Sequence, residues 1–144
     1  MKFTNSYRWL ATILMFLIGM ASAWADPALI VNKDVAAEKI DAGALKAILL
    51  GKKVSWDGAG GRVTLAVLKG GPVAEQFLSA SAGMSVSAFN NHWRRLAMTG
   101  GGSSPHSFES DDDLIKFVAA TPGAMGFIDE AKVDATVAVL KPTS

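Results

Sequence analysis

Two glycine-bearing stretches hold the residues of this sequence best suited to binding an anion. The first is Lys69-Gly70-Gly71-Pro72, inside residues 62–78 (RVTLAVLKGGPVAEQFL). Free N–H groups at the opening of a helix point at a ligand, and the Lys69 ammonium adds a positive charge beside them. A tight turn that needs glycine geometry is the plain alternative. The second stretch is Thr99 to Ser104, TGGGSS, where glycines including Gly101 let the backbone approach a ligand and Thr99, Ser103 and Ser104 offer hydroxyls. A flexible connector is the alternative there. No Lys-Ser/Thr follows those glycines, so this is not a Walker A loop. Arg94 and Arg95 lie about one helical turn earlier and suit bidentate oxyanion contact. Adjacent residues on a helix point about 100° apart, so one arginine serves the loop while the other is solvated.

Other chemistries lack their groups. The chain has no cysteine, which excludes thiolate catalysis, disulfides and cysteine-ligated zinc. No G-x-S-x-G elbow occurs, and no His-Asp-Ser set follows from spacing. His92 reads as a surface residue, and His106 has no partner at metal-ligand spacing. Asp111, Asp112 and Asp113 are explained by a helix start without a cation. The expectation is a non-enzyme with no metal and no cofactor.

Elements must position these residues. Val63, Leu65, Val67 and Leu68 form a short apolar strand pattern, the two glycines break it, and Pro72 sits where a first helical residue needs no N–H. Val73, Phe77 and Leu78 continue at helical spacing. Before this unit, ALIV (28–31) reads as a strand. Residues 40–50 read as a helix capped by Asp41 and stopped by Gly51, followed by a turn-rich loop with Trp56 covering core surface. After it, Ser85 caps a helix whose Val86, Phe89, Trp93, Leu96 and Ala97 share one face. Ser110 opens another helix, with Asp113 in a capping-box-like place. Residues 124–128 and 136–140 read as strands. The order β-α-β-α-α-α-β-β predicts an α/β fold, a small mixed sheet flanked by helices. Both glycine loops are expected at one end of that sheet, facing one cleft.

The N-terminus carries its own signature. Lys2 and Arg8 precede an acid-free apolar run, and Ala23-Trp24-Ala25 fits a small-residue cleavage site. Residues 1–25 therefore read as a secretory signal peptide, with cleavage after Ala25 or after Ala23. Residues 26–144 make one domain. The full chain has 14 Lys+Arg and 13 Asp+Glu. Without Lys2 and Arg8 the balance is 12 against 13, so no basic field for nucleic acid exists.

Several segments together resemble a known family. ALKAILLGKKVSWDG (44–58) is similar to the "IF-G-K-x-x-x-W-x-D-G" segment of periplasmic phosphate-binding proteins of ABC transporters, and TPGAMGFI (121–128) to their "PGAIGY-V" strand. Those proteins are two-lobed type 2 periplasmic binding proteins, and the resemblance covers one lobe. It implies a periplasmic domain binding phosphate or another small oxyanion through Lys69, Gly70, Gly71, Thr99, Gly101, Ser103, Ser104 and one of Arg94 and Arg95. It also implies a membrane-transporter partner, and a homodimer would supply the second wall of a cleft. The sequence departs from the family where an arginine- and Ser-Gly-Thr-containing loop belongs. Lys69-Gly70-Gly71-Pro72 has no hydroxyls, Pro72 lacks an N–H, and an exposed Glu75 would repel an anion by about 0.3–1 kcal/mol. That departure keeps a second reading open, an interaction module that docks to a transport or signalling partner without ligand.

Overall fold

A computed structural model describes residues 26–57, 61–101 and 103–144. The signal-peptide expectation for residues 1–25 lies outside the described residues.

The core is a five-stranded mixed sheet in the order β4-β3-β5-β1-β6. Its strands are β1 (Pro27–Val31), β3 (Thr64–Leu68), β4 (His106–Phe108), β5 (Ala124–Asp129) and β6 (Ala138–Val139). β3 runs parallel to β4 and β5, whereas β1 is antiparallel to β5 and β6. A separate parallel pair joins β2 (Lys39–Asp41) to β7 (Lys141–Thr143). The helices are α1 (Ala42–Leu49), α2 (Pro72–Ala82), α3 (Val86–Met98) and α4 (Asp111–Ala120).

Strand periodicity divides the core into two layers. Leu29, Val31, Leu65, Val67, Met125 and Phe127 face α1, α2 and α3. Ile30, Ala66, Ala124 and Ile128 face the other way, onto Leu114, Ile115 and Val118 of α4. Apolar residues on both strand faces are what a sheet covered on both sides requires. Phe77 of α2 stacks on Phe127 with ring centroids 4.3 Å apart.

The helix ends follow the sequence. Asp41 accepts from the N–H groups of Gly43 and Ala44, Ser85 from Ala88 and Ser110 from Asp113. Each satisfies a donor that the first helical turn leaves orphaned. Gly51 follows α1 at φ +77°, the left-handed geometry that glycine adopts without strain. Two side chains of α3 finish the same helix end. Trp93 Nε1–H donates to the Leu49 carbonyl at 3.0 Å, and His92 Nε2 lies 2.7 Å from the Leu50 carbonyl. His92 is thus half-buried and structural, which corrects its reading as a surface residue. The strand expected over 136–140 is also corrected. Only Ala138–Val139 of it forms a strand, β6; Leu140 is buried, and β7 begins beyond it at Lys141.

α4 ends without a glycine, and Asn32 substitutes. This residue, 5% exposed, donates from Nδ2 to the carbonyls of Val118 (2.9 Å) and Ala119 (3.2 Å) and accepts at Oδ1 from the Asp34 N–H. Asn32→Ala strands the carbonyls of the buried Val118 and the half-buried Ala119. It is expected to cost about 1–3 kcal/mol in urea unfolding, and a loss below about 0.5 kcal/mol would show that water replaces the amide.

Candidate functional site

The opening of α2 is built by the parallel pair β3–β4. At the end of β3, the Lys69 N–H donates to the Phe108 carbonyl at 2.9 Å, and Lys69 Nζ pairs with Glu109 at 3.0 Å. Both side chains are exposed, and such a pair contributes little. Gly70 and Gly71 are also exposed. Gly71 is the N-cap, with φ +102° and ψ 170° and no side-chain hydrogen bond to the helix. The geometry requires glycine at Gly71, because L side chains rarely adopt that φ. A Cβ at either glycine would meet nothing within 4 Å, so the glycines leave open space outside the helix. Pro72 begins α2, and its first backbone bond runs from the Glu75 N–H to the Gly71 carbonyl at 3.1 Å.

Glu75 turns away from this opening. Its carboxylate accepts from the Val86 N–H at 3.3 and 3.4 Å. The carboxylate expected to repel an anion at α2 instead complements the start of α3, where negative charge is favoured.

The second glycine stretch is a helix terminus. Thr99 Oγ1 donates to the Arg95 or the Leu96 carbonyl, both 3.1 Å away. Gly100 has φ +76°, and the Gly101 N–H donates to the Leu96 carbonyl at 2.8 Å. That six-residue bond around a left-handed glycine is the Schellman ending of a helix. Gly100, Gly101 and the Thr99 hydroxyl are therefore used in closing α3.

The two stretches do not meet, which corrects the expectation of one shared cleft. Lys69, Gly70 and Gly71 follow β3, whereas Gly101, Ser103 and Ser104 precede β4. In parallel strands, the segment after one and the segment before its neighbour lie at opposite ends. The five residues of β3 separate them by roughly 13 Å at a strand rise of about 3.3 Å, too far for one small ion. Arg94 and Arg95 are exposed. Arg94 donates to Asn91 Oδ1 at 3.1 Å and borders a shallow depression with Val67, Asn90, Trp93 and Ser104. Arg95 borders neither that depression nor the cleft described next.

Ser103 and Ser104 line a cleft of about 140 Å³ at the start of β3. Its other walls include Ile48, Lys53, Arg62 and Trp93. Sequence reasoning did not single out Lys53 or Arg62. Both flank the turn-rich loop, and a bridge between Ser55 and Arg62 draws its ends together. Two bases bracketing a glycine-rich stretch were the available signal.

The family-like segments also meet. Trp56, 9% exposed, donates from Nε1 to the Gly123 carbonyl at 2.9 Å. The Gly-Lys…Trp stretch is thereby joined to the Pro-Gly-Ala stretch, and Trp56 packs in the core as expected.

No family model matches the chain, and no curated protein matches it. Solved structures do. A phosphate-binding protein from Stenotrophomonas maltophilia is 19% identical at a TM-score of 0.62, over 83% of this chain and 39% of its own. An ABC-type phosphate transport receptor from Vibrio cholerae is 18% identical at 0.54, over 81% and 46%. PstS from Borrelia burgdorferi is 14% identical at 0.54, over 83% and 47%. The chain thus spans less than half the length of these proteins, and identities this low speak to architecture alone. The described residues have the fold of the phosphate-binding proteins of ABC transporters, over a stretch the size of a single lobe.

Proposed function

We propose that this chain is an exported, non-enzymatic binding module for a small oxyanion, phosphate first among them, held at the opening of α2. One observation carries the reading. In a fold shared with proteins named for phosphate binding, a parallel strand delivers Lys69 and two exposed glycines to a helix start that has no side-chain cap. The anion would take the first N–H groups of α2 and the Lys69 ammonium, exchanged from Glu109. Carboxyl ends of strands are where α/β sheets place ligands. The site is open to water, which weakens each charge-assisted bond. A second copy of the chain or a membrane transporter would close it.

Calorimetric titration of the purified protein with phosphate, with sulfate as comparator, tests the proposal. Binding between about 1 mM and 1 μM is expected, or about −4 to −8 kcal/mol, and Lys69→Ala should weaken it at least threefold. No heat and no thermal shift at millimolar phosphate would remove the reading.

Two observations favour an interaction module instead. Pro72 removes an N–H from the helix start and Lys69 is already paired with Glu109. A stable complex with a transport or signalling protein, unchanged by phosphate, would support that version.

A further inference from the structure

We infer that the cleft between Lys53, Arg62, Ser103 and Ser104 is a second, independent oxyanion site, for a tetrahedral anion such as phosphate or sulfate. Residues 26–144 carry 12 bases and 13 acids, so the surface has no general positive excess. Yet among the described residues the walls of this cleft include two bases and no carboxylate. The adjoining depression, which shares Ser104 and Trp93 with it, adds Arg94 and again no carboxylate. Lys53 is itself paired with Asp57, so the local field that attracts anions comes from Arg62 and Arg94, neither of which has a carboxylate partner among the described residues.

The cleft is also firmly framed. Its apolar floor is Ile48 and Trp93, 1% and 7% exposed, with the Trp93 indole fixed on the Leu49 carbonyl. Gly51 forms another wall, and a Cβ there would lie 2.9 Å from Trp93 Cη2. The serine wall is anchored next to Gly101, whose N–H is held by Leu96. At about 140 Å³ the space is smaller than the roughly 300–1,000 Å³ of organic-ligand pockets, which restricts the occupant to a small ion. Lys53 is held by Asp57 at 2.8 Å, but 92% of that carboxylate side chain is exposed. An exposed pair of this kind yields readily to a competing anion. Serine hydroxyls and the Arg62 guanidinium then supply the donors that an oxyanion accepts from.

The site lies at the opposite end of β3 from the α2 opening, so the two can be read separately. Backbone amide resonances of the full chain are followed while inorganic phosphate is added at constant ionic strength, with chloride as the balancing salt. Saturating shifts are expected at Arg62, Ser103 and Ser104. Arg62→Gln, an exposed substitution that leaves the fold intact, should raise the apparent Kd for these shifts at least fivefold. Lys69→Ala should leave them unchanged. The inference is overturned if these amides do not move, if chloride alone moves them equally, or if Arg62→Gln leaves their response as it was.

Discussion

Trp56→Ala is expected to destabilise the domain by about 3–5 kcal/mol, the range for truncating a buried large aromatic. Total stabilities of domains are about 5–15 kcal/mol, so the midpoint should fall on the order of 10 °C or more. The indole is 9% exposed, packs in the core cluster with Ile48 and Leu65, and donates to the Gly123 carbonyl at 2.9 Å. Trp56→Phe divides the effect. It keeps most of the apolar bulk and removes the donor. The Gly123 carbonyl also accepts from the Thr64 N–H at 3.2 Å, so it is not left orphaned, and the lost bond should cost about 1 kcal/mol. Urea unfolding of both variants checks this. Equal losses would mean that the hydrogen bond, and not the packing, holds the loop after α1 to β5.

Gly126→Ala is expected to destabilise by about 1–3 kcal/mol, and Gly126→Val by more. The sign is the informative part. In an ordinary strand, replacing glycine by alanine gains roughly 0.5–1 kcal/mol, because glycine loses more freedom on folding. Gly126 lies in β5, against α4. A Cβ there would stand 2.7 Å from Leu114 Cδ2 and 3.0 Å from the Ala66 carbonyl oxygen. Leu114 can shift, although it is fully buried. The Ala66 oxygen belongs to the neighbouring strand and cannot shift without moving β3. The double variant Gly126→Ala/Leu114→Ala should therefore lose less than the sum of the two single losses, a non-additivity characteristic of residues in contact. A stabilising Gly126→Ala would show that α4 stands further from the sheet than described.

Much of this architecture was legible because it is written locally. Asp41, Ser85 and Ser110 are caps by chemistry, and Gly51 ends α1 by its backbone freedom. β1, β3 and β5 are apolar on both faces and bounded by turn residues. The elements that sequence reasoning missed have no such local code. β4 is His106-Ser107-Phe108, with no alternation, and is a strand because β3 offers it an edge. β2 and β7 are three residues each and exist through one another. Missing β4 had a direct cost for the site. With β4 parallel to β3, the loop before it must lie at the far end from Gly71. Without it, Thr99 to Ser104 looked like a neighbour of Lys69. The anionic Glu75 was misplaced for a related reason, since its partner, the start of α3, is eleven residues away. Lys53 and Arg62 border one cleft through the bridge between Ser55 and Arg62, a pairing with no local signature.

The place of β1 in the sheet has a consequence for how the chain is made. This strand lies between β5 and β6, with Ala28 opposite Ile128 and Ile30 opposite Val139. Both of its neighbours come from the last quarter of the sequence. A chain synthesised from its N-terminus exposes the apolar stretch Ala28-Leu29-Ile30-Val31 about a hundred residues before anything can pair with it, and pairings so distant form slowly. Until residues 124–139 emerge, that stretch is a sticky, unprotected segment of the kind that recruits holding chaperones or aggregates. A chain stopped near Thr121 has a first strand with neither of its neighbours, so the native sheet cannot close until residues 124–139 are available.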